Sequence, residues 1–221
     1  KQIGTFQHWV KPLRSEYKIK NKISNRFVRK GAAALVDMAL RLYSLESRTF
    51  MPHRLKVNYD AMIDERFHRL YEEHAHNIIM VERTREFLEW RFCHEPSARY
   101  QIMTLENREQ DLLGYLVYVI GETGRNGDHA AGIQDFFYRD QKSFQQLLAA
   151  FTQHCRQIGM ETIVMHYFGR KEIANILSRF GFFQRKSSAQ VFVHDNPQFK
   201  DFQLEALHDS NCWHLTNAER L

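Results

Sequence analysis

The feature that most constrains the fold is a strand–helix–strand unit between residues 130 and 168. Residues 130–138 (AAGIQDFFY) are a strand-like run, residues 143–159 have helical spacing, and residues 160–168 (METIVMHYF) are a second strand-like run. Two strands that are joined through one helix lie parallel in the same sheet. The unit therefore predicts an α/β fold with one parallel crossover.

The segments around this unit predict that the rest of the sheet is antiparallel. A polar turn separates residues 99–108 from the nearly apolar residues 112–122, which predicts a hairpin whose second strand is buried on both faces. We therefore expect an α/β (α+β) protein with a mixed, mostly antiparallel, twisted sheet flanked by helices. The other predicted elements are helices at residues 63–77, 84–96 and 170–181, with Thr84 as an N-cap and Gly159 and Gly181 as helix ends, and a last strand at residues 184–195.

The N-terminal part of the chain differs in character from the rest. Residues 1–13 alternate like a strand, and a strand needs a partner. We therefore expect either that the chain is a piece of a longer protein or that its first strand completes a unit upstream. A basic connector and a helix at residues 31–47 follow, and residues 49–62 have the mixed pattern of a linker. The pattern predicts two regions, residues 1–59 and residues 60–221.

The composition favours a globular protein in a reducing compartment. The 221 residues carry 31 basic and 26 acidic side chains, a formal net charge of +5, and this mild excess does not predict a nucleic-acid partner. The apolar runs are far too short to span a bilayer, so no membrane association is expected. The three cysteines are odd in number and widely spaced, which favours free thiols and a cytoplasmic location.

Several stretches resemble the GNAT superfamily of acyl-CoA N-acyltransferases. DLLGYLVYVI resembles the third strand of the family, and ILSRFGFF resembles the Gly-Phe pair that ends its fourth helix. FLEWRFCHEPSARYQIM and the C-terminal NCWHLTNAERL are similar to a branch that is often encoded with polysaccharide-synthesis genes. The resemblance implies a GNAT-like fold, acetyl-CoA or another acyl-CoA as co-substrate, and a small-molecule amine as acceptor. It also implies an upstream GNAT half or a homodimer as partner.

The resemblance implies a place for the cofactor. In the family, the two parallel strands splay apart and hold pantetheine through backbone hydrogen bonds, which here implies Phe136 and Phe137. The CoA phosphates meet a glycine-rich loop in the family, whereas residues 138–143 contain no glycine. Arg139, Lys142 and Ser143 are then the candidates to face the phosphates. The alternative is an ordinary capped turn on the surface. The position of the family's frequent general-acid tyrosine is Leu177 in this sequence.

Two side chains are candidates for moving the proton of the amine. Asp135 lies beside Phe136 and Phe137, where a carboxylate is either paired or able to act as a base; a strand-end aspartate that faces solvent is the alternative. His166 lies late in the next strand and could relay a proton, or could be a hydrogen-bonded strand histidine. Arg91, on the second predicted helix, could clamp an acidic substrate or hold a strand-end carboxylate.

A possible metal site is weighed on the first of the two early helices. His68, Glu72 and His76 recur every four residues, so they lie on one face of the predicted helix. Such a stripe would allow metal binding. The many charged neighbours instead predict a solvated face, and we expect no metal.

Three functions are compatible with these features. The first is acyl-CoA-dependent N-acyltransfer to an amine, with an amino sugar or a cell-envelope precursor as candidate acceptor. The second is a catalytically degenerate GNAT-like module with a binding or assembly role. The third is an aminoacyl-tRNA-dependent transfer. The connection from Phe137 to Ser143 distinguishes the first two, because it is either open and lined by amides or filled by its own side chains.

Overall fold

The computed structural model describes residues 1–14, 31–32, 34–39, 44–49, 52, 54–94, 99–123, 128–194 and 204–219. Residues 31–32 and 34–39 are helical, as the sequence predicts for that region. The strands are β1 (Gln2–Thr5), β2 (Gln7–Pro12), β3 (Lys56–Asn58), β4 (Tyr100–Glu106), β5 (Leu112–Thr123), β6 (Asp128–Tyr138), β7 (Thr162–Gly169), β8 (Phe183–Arg185), β9 (Gln190–Phe192) and β10 (His214–Leu215). The further α-helices are α1 (Glu65–His74), α2 (Arg85–Phe92), α3 (Gln141–Gln157), α4 (Lys171–Arg179) and α5 (Leu204–His208).

One large sheet dominates the structure. Its strand order is β3-β4-β5-β6-β7-β2-β8, and β10 is added on β7. Only the pair β6–β7 is parallel among the described pairs, and α3 makes its crossover connection. Strands β1 and β9 form a separate two-stranded sheet. The predicted hairpin, the parallel crossover and the mixed, mostly antiparallel sheet flanked by helices are confirmed.

The sheet has a helical layer on each face. Helices α3 and α4 bury side chains such as Phe151 and Leu177 against one face. Helices α1 and α2 bury side chains such as Phe67 and Leu88 against the other. Strand β5 serves both layers, because Leu116 belongs to the first core and its neighbours Tyr115 and Val117 belong to the second. Its nearly apolar sequence is explained by this double burial.

Polar caps and glycines set the helix ends. Thr84 caps α2 by accepting a hydrogen bond from the Phe87 amide at 3.1 Å, as predicted. Gly159 and Gly181 follow α3 and α4 with φ angles of +83° and +79°, the left-handed conformation that lets a chain leave a helix. Pro96, the predicted stop of α2, lies outside the described residues. None of the helices in the described ranges is long and apolar enough to cross a membrane.

The N-terminal strands find their partners within the described chain. Strand β2 pairs antiparallel with β7 on one edge and with β8 on the other. Strand β1 pairs with β9. Both edges of β2 are therefore occupied. The division into residues 1–59 and 60–221 stays a prediction.

Two predictions of local structure are wrong. Residues 49–62 were expected to be a linker, but residues 56–58 form β3 and pair with β4 at the edge of the sheet. Three residues are too few to show a strand period, so the pattern gave no signal. The expected last strand at residues 184–195 is two short strands, β8 and β9, which join different sheets and are separated by residues 186–189. Most of the basic connector lies outside the described residues.

Candidate functional site

The parallel strands β6 and β7 separate towards their carboxyl ends. Their pairing ends at Ile133 and Met165, although β6 continues to Tyr138 and β7 to Gly169. At this point the pairing of β6 with β5 skips Gln134, and such a bulge bends a strand. The result is a fork between β6 and β7 at the carboxyl ends of these strands. Open α/β folds bind ligands at that end of the sheet.

The C-terminal segment, defined as residues 209–219, fills this fork. Strand β10 pairs antiparallel with β7, so that His214 lies opposite Gly169. The Nε2 atom of His214 is 3.0 Å from the carbonyl oxygen of Phe136 on β6. The His214 amide also donates to the carbonyl of Ile79 at 3.0 Å. His214 is 1% exposed and bridges both arms of the fork.

Aromatic rings pack around His214. Its ring centroid lies 4.8 Å from that of Phe136 and 5.4 Å from that of Tyr167, both nearly edge-on. On the other side of Phe136, the ring of Phe144 stacks at 5.0 Å, and it also stacks on Tyr138 at 4.9 Å. The space between the strands is thus occupied by side chains of the protein itself.

The hydrogen bond to a carbonyl assigns the proton on His214. A carbonyl oxygen only accepts, so Nε2 must carry a proton. Burial lowers the pKa of His214 to about 4, although Asp135 opposes this shift. The imidazole is therefore neutral at neutral pH, protonated on Nε2, and acts as a donor within the fork.

Gly169 allows the C-terminal segment to approach β7. Its φ angle is +150°, which favours glycine. A Cβ atom at this position would overlap the carbonyl group of Trp213. A larger residue at position 169 and the observed path of the C-terminal segment are therefore incompatible.

Asp135 lies at the centre of a buried polar network. Its Oδ2 atom accepts from Arg83 Nε and from the Tyr115 hydroxyl, each at 3.0 Å. Its Oδ1 atom accepts from Arg83 Nη2 at 3.0 Å and from the Thr216 hydroxyl at 2.8 Å. Asp135 and Arg83 are fully buried. The predicted alternative of a solvent-facing aspartate is wrong, and the paired carboxylate is what the structure contains.

Arg83 extends this network to Glu219. Its Nη1 donates to the carbonyl of Val81 at 2.7 Å, and its Nη2 also contacts the Glu219 carboxylate. Burial lowers the pKa of Arg83, but the charges of Asp135 and Glu219 outweigh it and raise the pKa overall. Burial raises the pKa of Glu219, which Arg83 opposes. The network joins β5, β6, the segment before α2 and the C-terminal segment.

Arg91 also holds the C-terminal segment. Its Nε donates to the carbonyl of Ala218 at 3.1 Å, and its Nη2 donates to the carbonyl of Asn217 at 3.3 Å. The expected clamp on an acidic substrate is not tested by these contacts. They place the guanidinium against the short 3₁₀ turn Asn217–Glu219.

Comparison with solved structures identifies the fold of this chain, whereas comparison of sequences finds no match. No family model matches the sequence, and no curated protein matches it. The crystal structure of a GCN5-related N-acetyltransferase from Anabaena variabilis matches 84% of this chain at 11% identity, with a TM-score of 0.51. The chain has the GNAT fold. A conserved protein of unknown function from Enterococcus faecalis matches 83% of the chain at 11% identity, with a TM-score of 0.49. The matches cover 39% and 38% of those two proteins, so this chain spans less than two fifths of their length.

The connection from β6 to α3 is where the sequence resemblance led us to expect the phosphates of a cofactor. Here the Asp140 carboxylate caps α3, accepting from the Ser143 amide at 2.8 Å and from the Ser143 hydroxyl at 2.9 Å. Arg139 Nε donates to the other oxygen of Asp140 at 3.0 Å. Burial raises the pKa of Asp140, but the hydrogen bonds from Ser143 and Arg139 lower it overall. The Ser143 amide is therefore bonded to a side chain of the connection itself, while the connection also borders a cavity beside α3.

The remaining cofactor candidates do not lie together. The side chain of Phe136 belongs to the core under α3 and α4, and that of Phe137 belongs to the opposite core. The carbonyl of Phe136 is already bonded to His214. Arg139 and Lys142 are exposed and line a cavity beside α3.

The two predicted proton carriers do not meet. His166 stacks on His8 of β2, with ring centroids 4.6 Å apart. Among the residues that the structure describes, the hydrogen-bond partners of Asp135 are Arg83, Tyr115 and Thr216, and His166 is not one of them. Their proton-handling roles stay a prediction.

Leu177, at the position of the family's acid, is buried in the core. It offers no proton. The position therefore contributes packing, in agreement with the apolar face of α4.

The histidine stripe on α1 is shorter than expected. The Nε2 atom of His68, which is half-buried, is 3.3 Å from a carboxylate oxygen of the exposed Glu72. His76 lies beyond the end of α1 at His74. Over the described ranges, no group of three or more His, Cys, Asp or Glu side chains is arranged to hold a metal ion.

The sequence did not indicate the residues that hold the fork closed. The resemblance of NCWHLTNAERL to a branch-specific tail was a signal for this segment, but it gave no role to any side chain. No pattern singled out Arg83, since a lone arginine before a helix is common. The residues that were missed are Arg83, Tyr115, His214, Thr216 and Glu219.

Proposed function

We propose that this chain is a catalytically degenerate GNAT-fold module with a binding or assembly role. In this proposal its C-terminal segment takes the place of acyl-CoA in the fork. The observation that carries the proposal is the position of His214, which is buried between β6 and β7 and bonded to Phe136. A cofactor could not occupy the same space.

The cost of opening the fork supports this proposal. Acyl-CoA could enter only if β10 left β7 and Thr216 and Glu219 left the buried network. Removing partners from buried charges costs several kcal/mol. A ligand shifts such an equilibrium only by the difference in its affinity for the two states. Acyl-CoA would therefore need to bind the open state more tightly by that amount.

The connection before α3 supports the same conclusion. The amide of Ser143 already donates to the Asp140 carboxylate, which lies where a phosphate would bind in a helix N-terminal site. Two anions would compete for one set of donors. The core position of Leu177 also leaves the usual acid position without an ionisable group.

The partner in this proposal is a second GNAT-fold unit, either an upstream half of the same polypeptide or a second copy of this chain. Strand β8 supports it, because β2 is its only partner in the described part of the sheet and Phe183 is 49% exposed on it. Open sheet edges are sites for pairing. Analytical ultracentrifugation of the chain, alone and together with any GNAT-fold half that precedes it in the same polypeptide, should show a complex. A monomer under both conditions would refute the assembly role.

A second candidate is acyl-CoA-dependent N-acyltransfer to an amine acceptor, such as an amino sugar or another cell-envelope precursor. The forked parallel strands and the basic residues Arg139 and Lys142 near the start of α3 favour it. In this candidate the C-terminal segment leaves the fork during the reaction. Asp135 and His166 would then be the proton carriers.

Titration calorimetry with acetyl-CoA separates the two candidates. For the degenerate module we expect no saturable heat at millimolar ligand and no rise in melting temperature, because the fork is occupied. Binding to the native state would instead raise the melting temperature with ligand concentration. A saturable signal with such a rise would overturn the proposal.

The substitution Gly169→Ala provides a second test, which does not rely only on the absence of acetyl-CoA binding to the wild type. It should displace the C-terminal segment and lower stability, because the new methyl group overlaps Trp213. The degenerate module predicts that acetyl-CoA still does not bind, whereas the acyltransferase predicts that binding appears. Gly121→Ala is the matched control, since a Cβ at position 121 meets no atom within 4 Å.

A further inference from the structure

An aromatic pair lies on the outer side of α2. Trp90 is 60% exposed, although tryptophan side chains are highly buried on average. Its ring centroid lies 6.0 Å from that of Phe87, which is half-buried and one turn earlier on the same helix. The guanidinium group of the buried Arg83 lies 5.3 Å from the centre of the Phe87 ring. The pair is therefore supported by the buried network, while the Trp90 ring remains open to solvent.

The groups around Trp90 favour a cation. The face of a tryptophan ring carries partial negative charge and attracts lysine and arginine side chains. Glu86 is exposed and lies four residues before Trp90, on the same side of α2. In the described part of the chain, Glu86 forms no ion pair, whereas Arg83 and Arg85 are bonded to other carboxylates. A cation over Trp90 would therefore also have a carboxylate to pair with.

The charge of this region is opposite to that of the rest of the protein. Residues 60–94, which include α1 and α2, carry eight acidic and five basic side chains, although the whole chain has a net charge of +5. Positive charge is concentrated in residues 14–30, which carry seven basic side chains and one acidic one. Only residue 14 of this basic segment belongs to the described residues. A second copy of the chain therefore brings the complementary charge to α2.

The residues on either side of the basic segment favour a contact between two copies. Leu13 is buried in the core under α3 and α4, whereas α2 covers the opposite face of the sheet. Further along the chain, Glu46 pairs with Lys11 and with Arg156 of α3. Both of these attachments are on the α3 side of the sheet. Within one copy the basic segment would have to pass around the sheet to reach α2, whereas the segment of a second copy can approach α2 directly.

We propose that the α2 face, defined as Glu86, Phe87 and Trp90, binds the basic segment (residues 14–30) of a second copy of this chain. A lysine or arginine side chain of the segment lies over the Trp90 ring and pairs with Glu86. A two-fold axis repeats the contact, so that each copy provides one segment and binds the other. This inference rests on the proposed assembly role and adds a surface to it, separate from the open edge of β8.

Sedimentation velocity of the full chain over a range of concentrations tests the contact. We expect a dimer whose dissociation constant rises at least about tenfold between about 50 mM and about 500 mM sodium chloride, because salt screens exposed charges. A synthetic peptide of residues 14–30 should dissociate the dimer. The same peptide with its seven basic residues replaced by glutamine is the control and should have no effect. A dimer that responds neither to salt nor to the basic peptide would overturn the inference.

Substitutions locate the contact on α2. Trp90→Ala should raise the dissociation constant of the dimer at least about thirtyfold, because aromatic side chains that become buried in an interface carry much of its binding free energy. Glu86→Gln should raise it about two- to fivefold, as expected for an exposed ion pair. Met62→Ala and Glu109→Gln change exposed side chains outside the α2 face, and they should dimerise as the wild type does. An unchanged melting temperature of each monomer would show that the fold is retained.

The outcomes distinguish this inference from the proposed function. A dimer that Trp90→Ala leaves unchanged would refute the α2 contact, but it would leave the assembly role supported through another surface. A chain that stays monomeric at every concentration would refute the second copy as the partner. In that case a complex with a GNAT-fold half that precedes the chain would still support the assembly role.

Discussion

The two sides of β6 use charge in opposite ways. On the fork side, Arg83 and Asp135 are fully buried, and every polar atom of the Asp135 carboxylate is bonded within the protein. On the β5 side, Arg108 and Lys142 are exposed beside a cavity and make no ion pair in the described part of the chain. The first region is closed by its own chain, and the second is open.

The difference shows which charged groups can still contribute free energy to the binding of a ligand. A buried charge must be paired within the protein, because an unpaired one would cost more than a small domain's stability allows. Once it is paired, a ligand gains little by approaching it. Exposed cations that converge on a cavity are still hydrated, and a phosphate can replace that water with charge-assisted bonds. The open side, where the resemblance places the phosphate candidates Arg139 and Lys142, therefore keeps more charge available for a ligand than the fork does.

The largest expected effect tests the closed side. Arg83→Met should lower the free energy of unfolding by about 3–5 kcal/mol, because it leaves Asp135 and Glu219 buried without their cation. Urea unfolding monitored by fluorescence would measure it. The matched control is Arg85→Met, two residues away, where the side chain is exposed and pairs with Glu65 and Glu89. We expect no measurable loss there, and equal losses in the two variants would mean that burial is not the cause.

The pH dependence of stability tests the same side through His214. The folded pKa is about 4 and the ordinary value is 6.5. Between these values the unfolded chain binds a proton that the folded chain refuses, so stability falls as the pH falls. The penalty is absent above about pH 6.5 and reaches about 3 kcal/mol below about pH 4, by the usual conversion of pKa shift to free energy.

A non-ionisable variant isolates this effect. His214→Gln keeps a donor for the Phe136 carbonyl but has no proton to gain. The wild type should lose about 3 kcal/mol more than this variant when unfolding is measured at about pH 6.5 and about pH 4. Parallel pH profiles would show that His214 is not held neutral in the fork.

A smaller effect shows whether Asp140 stabilises the start of α3 through its hydrogen bond or through its negative charge. Asp140→Ala should lower the free energy of unfolding by about 1 kcal/mol, because the Ser143 amide loses its acceptor. Asp140→Asn should cost much less, since asparagine caps helices about as well as aspartate. Thermal unfolding of both variants provides the measurement. Equal losses would mean that the negative charge, and not the hydrogen bond, stabilises this helix start.

The sequence predicted the fold correctly wherever an element depends on residues that are close together in the chain. The parallel unit β6–α3–β7, the hairpin β4–β5 and the glycines after α3 and α4 all follow from periodicity and helix-end chemistry. Strand β3 was missed because three residues carry no period. Strands β8 and β9 were merged because a sequence pattern does not say which sheet a strand joins.

The site was less accessible because its contacts are distant in sequence. Asp135 was singled out from its apolar neighbours, but its partner Arg83 is 52 residues away. His214 lies 78 residues from Phe136, whose carbonyl it bonds. No motif connects such pairs. The loop from residue 139 to 143 was a partial exception, since its lack of glycine left a capped turn open as an alternative, but the sequence did not identify Asp140 as the cap.

The smallest expected effect sharpens the comparison between the two sides. Asp140 is half-exposed at the edge of the open cavity and pairs with Arg139 at 3.0 Å. Arg139→Gln removes this exposed ion pair, and it should lower the free energy of unfolding by only about 0.2–1 kcal/mol, because solvent and salt screen an exposed pair. Urea unfolding at low and at high salt would measure the loss, and Glu172→Gln, which removes the similarly exposed pair with Arg170, is the matched control. A loss as large as that of Arg83→Met would mean that the charges on the two sides of β6 are not held differently, and the contrast between an open and a closed side would then lose its meaning.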